Sequence, residues 1–497
     1  MMESGKLVII GSGFGGITAA ALLAKAGFDV TVLERNEQPG GRARVLREGG
    51  YTFDMGPSWY LMPDVFEKFF AEFGKKPSEY YQLERLDPSY RVFFGGKEVH
   101  DVTPDLDATK ALFEGFEPGA GGKFQGYLDG TEYQYNVAMT EFIYRDYKRL
   151  TQFMNRKLMV EGTKLHLLEN LDKYISRFFK DHRIRKVLEY NIVFLGGAPK
   201  DSPALYALMS HVDFNLGVWY PDGGLISVVE GMVRLAKEQG AKFYYDHDVT
   251  EIVVEGGRAT KVVTDKGTFP ADVVIANADM HHVETQLIDP SMRSYSDRYW
   301  AKRKIAPSTL LFYLGVDKRV EGLEHHNLYL MDDWDEHFRT IFKDPKWPME
   351  ACYYVSRPSK TDPTVAPEGG DALFILIPVA AGLEDTEENR ERYYDWVMGH
   401  LEGLLGESIR DHVVLKRSYA HRDFEADYNA YRGTALGLAH TLRQTAVFRP
   451  KHRSKRIKNL YYTGHYNHPG IGVPMVVISS QIVSEEVARE HAEQDDD

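Results

Sequence analysis

The chain has 497 residues, 43% hydrophobic and 27% charged, with a net charge of -13. Its length implies two or three domains, and its acidic balance excludes a general nucleic-acid binder, which carries a basic field. The one cysteine, Cys352, excludes an internal disulfide or a redox-active dithiol, so any electrons the protein handles pass through a bound group.

The first residues run straight into an apolar strand, without a charged-then-apolar leader and cleavage site. No apolar run reaches the ~18 residues that a membrane-spanning helix needs. The longest, residues 372–383, is broken by Pro378 into a buried strand and a turn. A cytoplasmic protein, free to sit on a membrane surface, is expected.

In chain order, Lys6–Ile10 reads as a strand, residues 15–26 as a small-residue helix closed by Gly27, and Asp29–Leu33 as a second strand, a β-α-β unit. Residues 105–215 lack strand alternation and carry long helical stretches such as 135–171; they read as a helical insertion. An amphipathic helix is expected over residues 225–239, ended by Gly240. Strands follow at 242–246, 251–255 and 261–264, the last two joined as a hairpin through Gly256-Gly257-Arg258, and a further one at 272–276. Residues 310–315, 351–356 and 372–378 read as strands of a second sheet. The end repeats the opening logic with a strand at 459–463, a Gly/Pro loop and a helix at 475–491, before an acidic tail, 493–497, expected to be irregular.

Gly11-Ser12-Gly13-Phe14-Gly15-Gly16 places GxGxxG between strand and helix. Gly11 permits the tight turn, Gly13 lets backbone approach a pyrophosphate, and Gly16 lets helix and strand close up. The phosphates then meet the positive end of the helix dipole. Glu34, followed by Arg35, ends the second strand, where a carboxylate accepts the ribose hydroxyls of an adenosine. A glycine-rich turn alone is common, but strand, helix, spacing and acid together read as a dinucleotide site. Pro39-Gly40-Gly41-Arg42-Ala43 comes next; its glycine pair admits a pyrophosphate or flavin, and its arginine can neutralise phosphate charge. A nicotinamide dehydrogenase has no use for such a segment there, so FAD is the expected cofactor. Asp54-Met55-Gly56-Pro57-Ser58 either brings the chain beside the isoalloxazine ring or is a plain turn.

Gly464 closes the last strand, and His465-Tyr466-Asn467-His468-Pro469-Gly470-Ile471-Gly472-Val473-Pro474 leads into a helix whose first amides carry partial positive charge. Aimed at flavin N1 and O2, those amides favour hydride acceptance at N5. His468 is either a flavin contact or an ordinary loop residue. His465 and His468 form a pair with no third ligand, so no metal is expected, and no catalytic acid or base is assigned.

With these motifs, and with Leu216-Gly217-Val218-Trp219-Tyr220-Pro221-Asp222-Gly223-Gly224, Ala276-Asn277-Ala278-Asp279, Asp362-Pro363-Thr364-Val365-Ala366-Pro367-Glu368-Gly369 and Asn459-Leu460-Tyr461-Tyr462-Thr463, the chain resembles the bacterial-type phytoene desaturase family of carotenoid biosynthesis over essentially its whole length. The opening motifs are shared by many flavin amine oxidases; the Trp-Tyr-Pro, Asp-Pro and Pro-Gly runs are more specific.

The resemblance implies an FAD-dependent oxidoreductase that removes hydrogen from a long polyene hydrocarbon, hydride passing to flavin N5 and a proton leaving the neighbouring carbon. A hydrocarbon offers nothing polar to grip, so an apolar tunnel is expected. The substrate lives in a bilayer, so peripheral membrane association is implied. Cofactor contacts are placed at Gly11, Gly13, Phe14, Gly15, Gly16, Glu34, Arg35, Gly41, Arg42, Gly56, Pro57, Ser58, Val249, Asn277, Ala278, Gly464, Gly472, Val473 and Pro474. The expected fold is α/β: a Rossmann-like FAD-binding domain from residues 1–75, 216–285 and 455–497, a mixed-sheet substrate domain from 76–104 and 286–454, and a helical, membrane-associating insertion over 105–215. Alternatives are a carotenoid 3,4-desaturase, a desaturase of the shorter C30 precursor, a cis-trans isomerase, or a flavin amine oxidase acting on a polar substrate.

Two features bear on the membrane. The basic run Arg449, Lys451, Arg453, Lys455, Arg456, Lys458 either binds anionic lipid, at about 1 kcal/mol per residue, or is a solvated loop. Leu61, Met62, Val65, Phe66, Phe69, Phe70 and Phe73 form an aromatic stripe that either dips into lipid or belongs to the core.

Overall fold

The opening strand Lys6–Ile10 lies at the centre of a five-stranded parallel sheet in the order Leu460–Tyr462, Val273–Ala276, Lys6–Ile10, Asp29–Leu33, Lys242–Tyr244. The computed structural model describes residues 5–495, apart from 97, 146–165, 167–168 and 442. Leu7 and Ile9 join one core and Val8 and Ile10 another. The strand is therefore covered on both faces, which is why it reads as an unbroken apolar run. Helices Phe14–Lys25, Leu225–Glu238 and Val473–Asp495 cover the first face. An antiparallel sheet of Val249–Glu255, Arg258–Thr264 and Gly267–Pro270 covers the other. Its first hairpin turns at Gly256 and Gly257, both at positive φ (57° and 77°), a conformation that glycine adopts freely.

A seven-stranded mixed sheet runs Val413–Tyr419, Ser308–Val316, Asp371–Val379, Tyr353–Ser356, His326–Leu330, Tyr90–Phe94, Glu98–Val102. Among the described residues its only parallel pairing joins His326–Leu330 to Tyr90–Phe94. The three strands that the apolar pattern marks lie side by side in its second to fourth places. The two edge strands escape a hydrophobicity reading because they carry charges, Lys416 and Arg417 on one and Glu98 and Asp101 on the other. Charged edges protect a sheet from pairing with another chain.

Among the described residues of 105–215 only helical elements occur, led by Leu106–Phe116 and Ala120–Val137, the latter continuing as a π-helical turn over Ala138–Ile143. Most of the expected helical stretch 135–171 lies outside the described residues. Phe124, Tyr127 and Leu128 pack into the same core as the seven-stranded sheet. No helix among the described residues is long and apolar enough to cross a membrane.

The structure bears on three of these expectations. Helix Pro63–Ala71 buries Val65, Phe66, Phe69 and Phe70 at 1% exposure or less, with Phe66 stacked on Tyr60 at 4.8 Å, so the aromatic stripe is core. In the basic run Arg449 is buried and bonded to carbonyls, Arg453 pairs with Glu490 at 2.6 Å, and Lys455 lies over the Tyr295 ring, so these three are not a free cationic face. The last helix continues to Asp495, so the tail is helical for residues 493–495.

Candidate functional site

The two ends of the chain meet. Gly11, at φ 94°, turns the chain out of the first strand, and a Cβ built on Gly16 would lie 2.0 Å from the Gly11 carbonyl oxygen, so only glycine lets the helix sit so close to the strand. A Cβ on Gly15 would lie 2.9 Å from Val476 and 3.0 Å from Ser480, both on the C-terminal helix. Asn277, at the end of strand Val273–Ala276, donates from its backbone to Ile10 at 2.8 Å and from Nδ2 to Gly11 at 3.3 Å. Thr463 donates to Ala276 at 3.1 Å, and the Gly464 amide donates to Ser479 Oγ at 3.3 Å. Strand ends, glycine turn and terminal helix thus form one nest of backbone.

The second glycine pair closes over the first. The Gly40 amide donates to the Ser12 carbonyl at 2.8 Å, and a Cβ on Gly41 would stand 3.3 Å from Gly13 Cα. Gly56 lies against Arg42, where a Cβ would meet the carbonyl oxygen at 2.4 Å.

Glu34 is buried and held by four donors. Ser12 gives its amide at 2.8 Å and its hydroxyl at 2.9 Å to one oxygen; Asn36 gives its amide at 3.0 Å and its Nδ2 at 2.9 Å to the other. Two of these donors are side-chain rotors, so an incoming diol can displace them while the two amides stay. Arg44, which closes the motif that begins at Pro39 but is not among the expected contacts, braces this corner through Asn36 Oδ1 at 3.1 Å and an ion pair with Asp427. Burial opposes its charge, while Tyr428, Asp427 and Tyr419 outweigh that penalty, so it stays protonated.

A continuous cavity of about 790 Å³ opens from this nest. Of the expected contacts, Gly11, Gly13, Phe14, Glu34, Arg35, Gly41, Arg42, Gly56, Pro57, Ser58, Val249, Asn277, Ala278, Gly464, Gly472, Val473 and Pro474 line it. Gly15 and Gly16 do not; they serve the packing of the first helix. Beyond the nest the walls turn apolar, with Leu311, Leu376 and Pro378 from the seven-stranded sheet and Val193, Leu195, Leu205, Leu208 and Met209 from the helical segment. The polar side chains there are few. Tyr354 bonds Ser58 at 2.9 Å and His326 at 2.7 Å, with Trp59 stacked on the His326 ring at 4.2 Å. His440 faces Tyr206, and His468 bonds the Phe142 and Ile143 carbonyls at 3.2 and 3.0 Å. Burial holds His326 and His440 well below the usual imidazole range, and burial together with the Arg42 and Arg449 charges does so for His465. These imidazoles are therefore neutral at pH 7. Sequence-local patterns could not reveal Trp59, Tyr206, Tyr354 or His440, because strands and loops hundreds of residues apart bring them together.

The nest suits a dinucleotide. Arg42 Nε and Arg35 Nη1 are buried N–H groups with no hydrogen-bond partner among the described residues, beside a glycine cradle that any Cβ would fill. Unpaired buried donors next to helix-start amides call for an anion such as a pyrophosphate. The apolar extension suits a ligand with little to hydrogen-bond. Among the described residues no group of His, Cys, Asp and Glu could hold a metal.

Comparison with known proteins fits this geometry. A model of the family described as flavin containing amine oxidoreductase matches residues 14–488. A protein of Haloarcula japonica named carotenoid 3,4-desaturase is 47% identical over 481 residues, covering 96% of this chain and 97% of its own. The zeta-carotene-forming phytoene desaturase of Myxococcus xanthus is 33% identical over 484 residues, covering 97% and 93%. Among solved structures, an oxidoreductase from Methanosarcina mazei shares the fold with a TM-score of 0.64 at 18% identity, covering 97% of this chain and all of that one.

Proposed function

Because the chain belongs to the flavin-containing amine oxidoreductases, in their phytoene desaturase-type branch, we propose that it introduces a double bond into a long polyene of the carotenoid class. The 47% likeness to a 3,4-desaturase, set against 33% to a phytoene desaturase, favours the 3,4 position of an already conjugated chain over the first steps on phytoene. The single observation that carries the reading is the cavity, polar and glycine-walled at one end and apolar along the rest. An amine oxidase acting on a polar substrate is disfavoured by that apolar extension.

The cofactor would lie in the nest built from residues 1–75, 216–285 and 455–497, the segments that supply the five-stranded sheet. Gly11, Gly13, Gly41 and Arg42 would hold its pyrophosphate, Glu34 its adenosine ribose, Val249 the adenine edge through backbone, and Gly56 and Gly464–Val473 its ring system. Bound FAD supplies the two-electron oxidant for a C–H bond. The protein's own part is to exclude water and align the substrate. Leu311, Leu376, Leu205 and Met209 leave a polyene no polar partner, so shape alone sets its depth. His326, His440 and His465 are held neutral by burial, and no catalytic base is assigned.

A polyene enters from a membrane, and Val447 and half-exposed Phe448 line the cavity, an apolar rim for peripheral docking on the cytoplasmic face. The test is to incubate enzyme and FAD with liposomes carrying phytoene, a C30 precursor, or a longer conjugated carotenoid, and to read product mass and absorption. Loss of two hydrogens at the end of the conjugated chain supports the reading. Activity on phytoene alone would return the first desaturation steps as the function, and activity on amines alone would overturn it.

A further inference from the structure

Arg449 is enclosed, at 3% exposure, and no carboxylate among the described residues pairs with it. Its guanidinium is spread over backbone oxygens instead. Nε donates to the carbonyls of Tyr466 at 3.2 Å and Asn467 at 3.0 Å, Nη1 to Gln444 at 3.1 Å, and Nη2 to Leu438 at 3.3 Å and to His465. The segment so gripped is the one whose continuation, Gly464 to Val473, walls the cavity.

His440 grips the same loop from another side. The Ile471 amide donates to its Nε2 at 3.1 Å. A backbone amide can only donate, so Nε2 carries no proton; the ring proton sits on Nδ1 and goes to the Tyr206 hydroxyl oxygen. His440 is thus neutral, and of these two groups Arg449 alone carries a full charge. The two groups meet behind Gly470, where a Cβ would lie 2.4 Å from His440 Nε2 and 3.2 Å from Arg449 Cζ. The charge therefore stands one backbone layer behind the cavity wall.

Holding carbonyls does not require a cation. Nearby, Gln444 Nε2 ties the Lys304 and Ala439 carbonyls at 2.8 and 3.3 Å, and Asn467 Nδ2 ties those of Pro450 and Lys451 at 3.2 and 2.9 Å. Neutral amides do the same task in the same loop without the desolvation cost of a buried charge. At position 449 the chain carries a charge in addition to donors.

We propose that Arg449 is a positioning residue that fixes the cofactor loop and whose uncompensated positive charge raises the reduction potential of bound FAD. The inference rests on the reading that FAD lies against Gly464–Val473. Reduction adds negative charge to the ring, and a cation across one layer of low-dielectric backbone favours the reduced form.

The experiment compares the two-electron midpoint potential and FAD affinity of the wild-type holoenzyme with R449K, R449Q and R449M. Lysine keeps the charge and loses the fork; glutamine keeps donors and loses the charge. The expected result is a wild-type midpoint in R449K and a more negative one in R449Q and R449M, with weaker FAD binding in all three. If R449M or R449Q comes out without FAD while R449K keeps it at the wild-type midpoint, the charge assignment also stands. A wild-type midpoint in R449Q, an R449K midpoint as low as that of R449Q, or loss of FAD from R449K as well as R449Q overturns it. Failure of the wild-type protein to bind FAD sinks instead the reading on which the proposal rests.

Discussion

Asn277 Nδ2 donates to the carbonyl oxygen of Gly11 at 3.3 Å, across 266 positions of sequence. Its Oδ1 lies 3.5 Å from where a Cβ on Gly464 would stand, so one side chain touches both the opening glycine turn and the closing loop. Replacing it with alanine removes about one hydrogen bond, ~1 kcal/mol, and should weaken FAD binding roughly 3- to 10-fold. N277D should weaken it far more, because a carboxylate then faces the Gly11 carbonyl oxygen and, in the proposed placement of FAD, stands near its phosphates. Titration of each apo-protein with FAD, followed by flavin fluorescence, measures both.

Gly13 and Gly16 separate folding from binding. A methyl group on Gly16 meets the Gly11 oxygen at 2.0 Å, backbone against backbone, and should cost the fold about 3 kcal/mol. On Gly13 the nearest atom is Asn277 Nδ2 at 3.2 Å, at the end of a side chain that can yield. G13A should therefore melt like wild type without cofactor yet fail to take up FAD, whereas G16A should melt low before FAD is added. Thermal melts with and without FAD distinguish the two.

Glu34 predicts an asymmetric pair. E34A strands four donors and removes the diol acceptor, so FAD affinity should drop roughly 10- to 100-fold. S12A removes only the hydroxyl that an incoming ribose displaces, leaving the Ser12 amide bond to Glu34, and should change affinity less than about 3-fold. Equal losses from both would remove Glu34 from the ribose site.

Stability should fall on acidification below neutrality. Burial depresses His326, His440 and His465 well below 6.5 and takes His325 and His337 to about 3 and 4. In the unfolded chain each takes a proton below about 6.5 that the folded chain refuses, so stability present above that pH is lost as pH falls, at up to about 1.4 kcal/mol per pH unit for each. Three carboxyls act the other way. Burial raises Glu189 to about 8, Asp54 to about 7 and Asp213 to about 6, so they favour the folded state as pH falls toward 4. The histidines outnumber them, and chemical denaturation at pH 7.5, 6.5 and 5.5 should show declining stability. A rise toward pH 5.5 would contradict the buried neutral histidines.

The glycine turns were legible in the sequence because each needs a residue type for a local reason: Gly11 for its positive φ, Gly16 for contact with its own strand, Gly256 and Gly257 for a hairpin. Strands buried on both faces, such as Lys6–Ile10 and Asp371–Val379, were legible as apolar runs. The edge strands Val413–Tyr419 and Glu98–Val102 were not, since one-sided exposure and charge hide them. Arg449 reads in the sequence as one of a basic run, lipid-binding or solvated, and is neither, because sequence shows its charge but not the five carbonyls around it. Tyr354 and Tyr206 carry no local signature at all; only the closed fold brings them to the cavity.

The most direct test mixes the oxidised holoenzyme with polyene-loaded liposomes in the absence of oxygen and any other acceptor, and follows flavin and polyene absorption together. Loss of the oxidised flavin bands in step with the growth of longer-wavelength polyene bands, one double bond per flavin, is the expected result. A flavin that stays oxidised with every polyene, yet bleaches with a polyamine, would contradict the assignment.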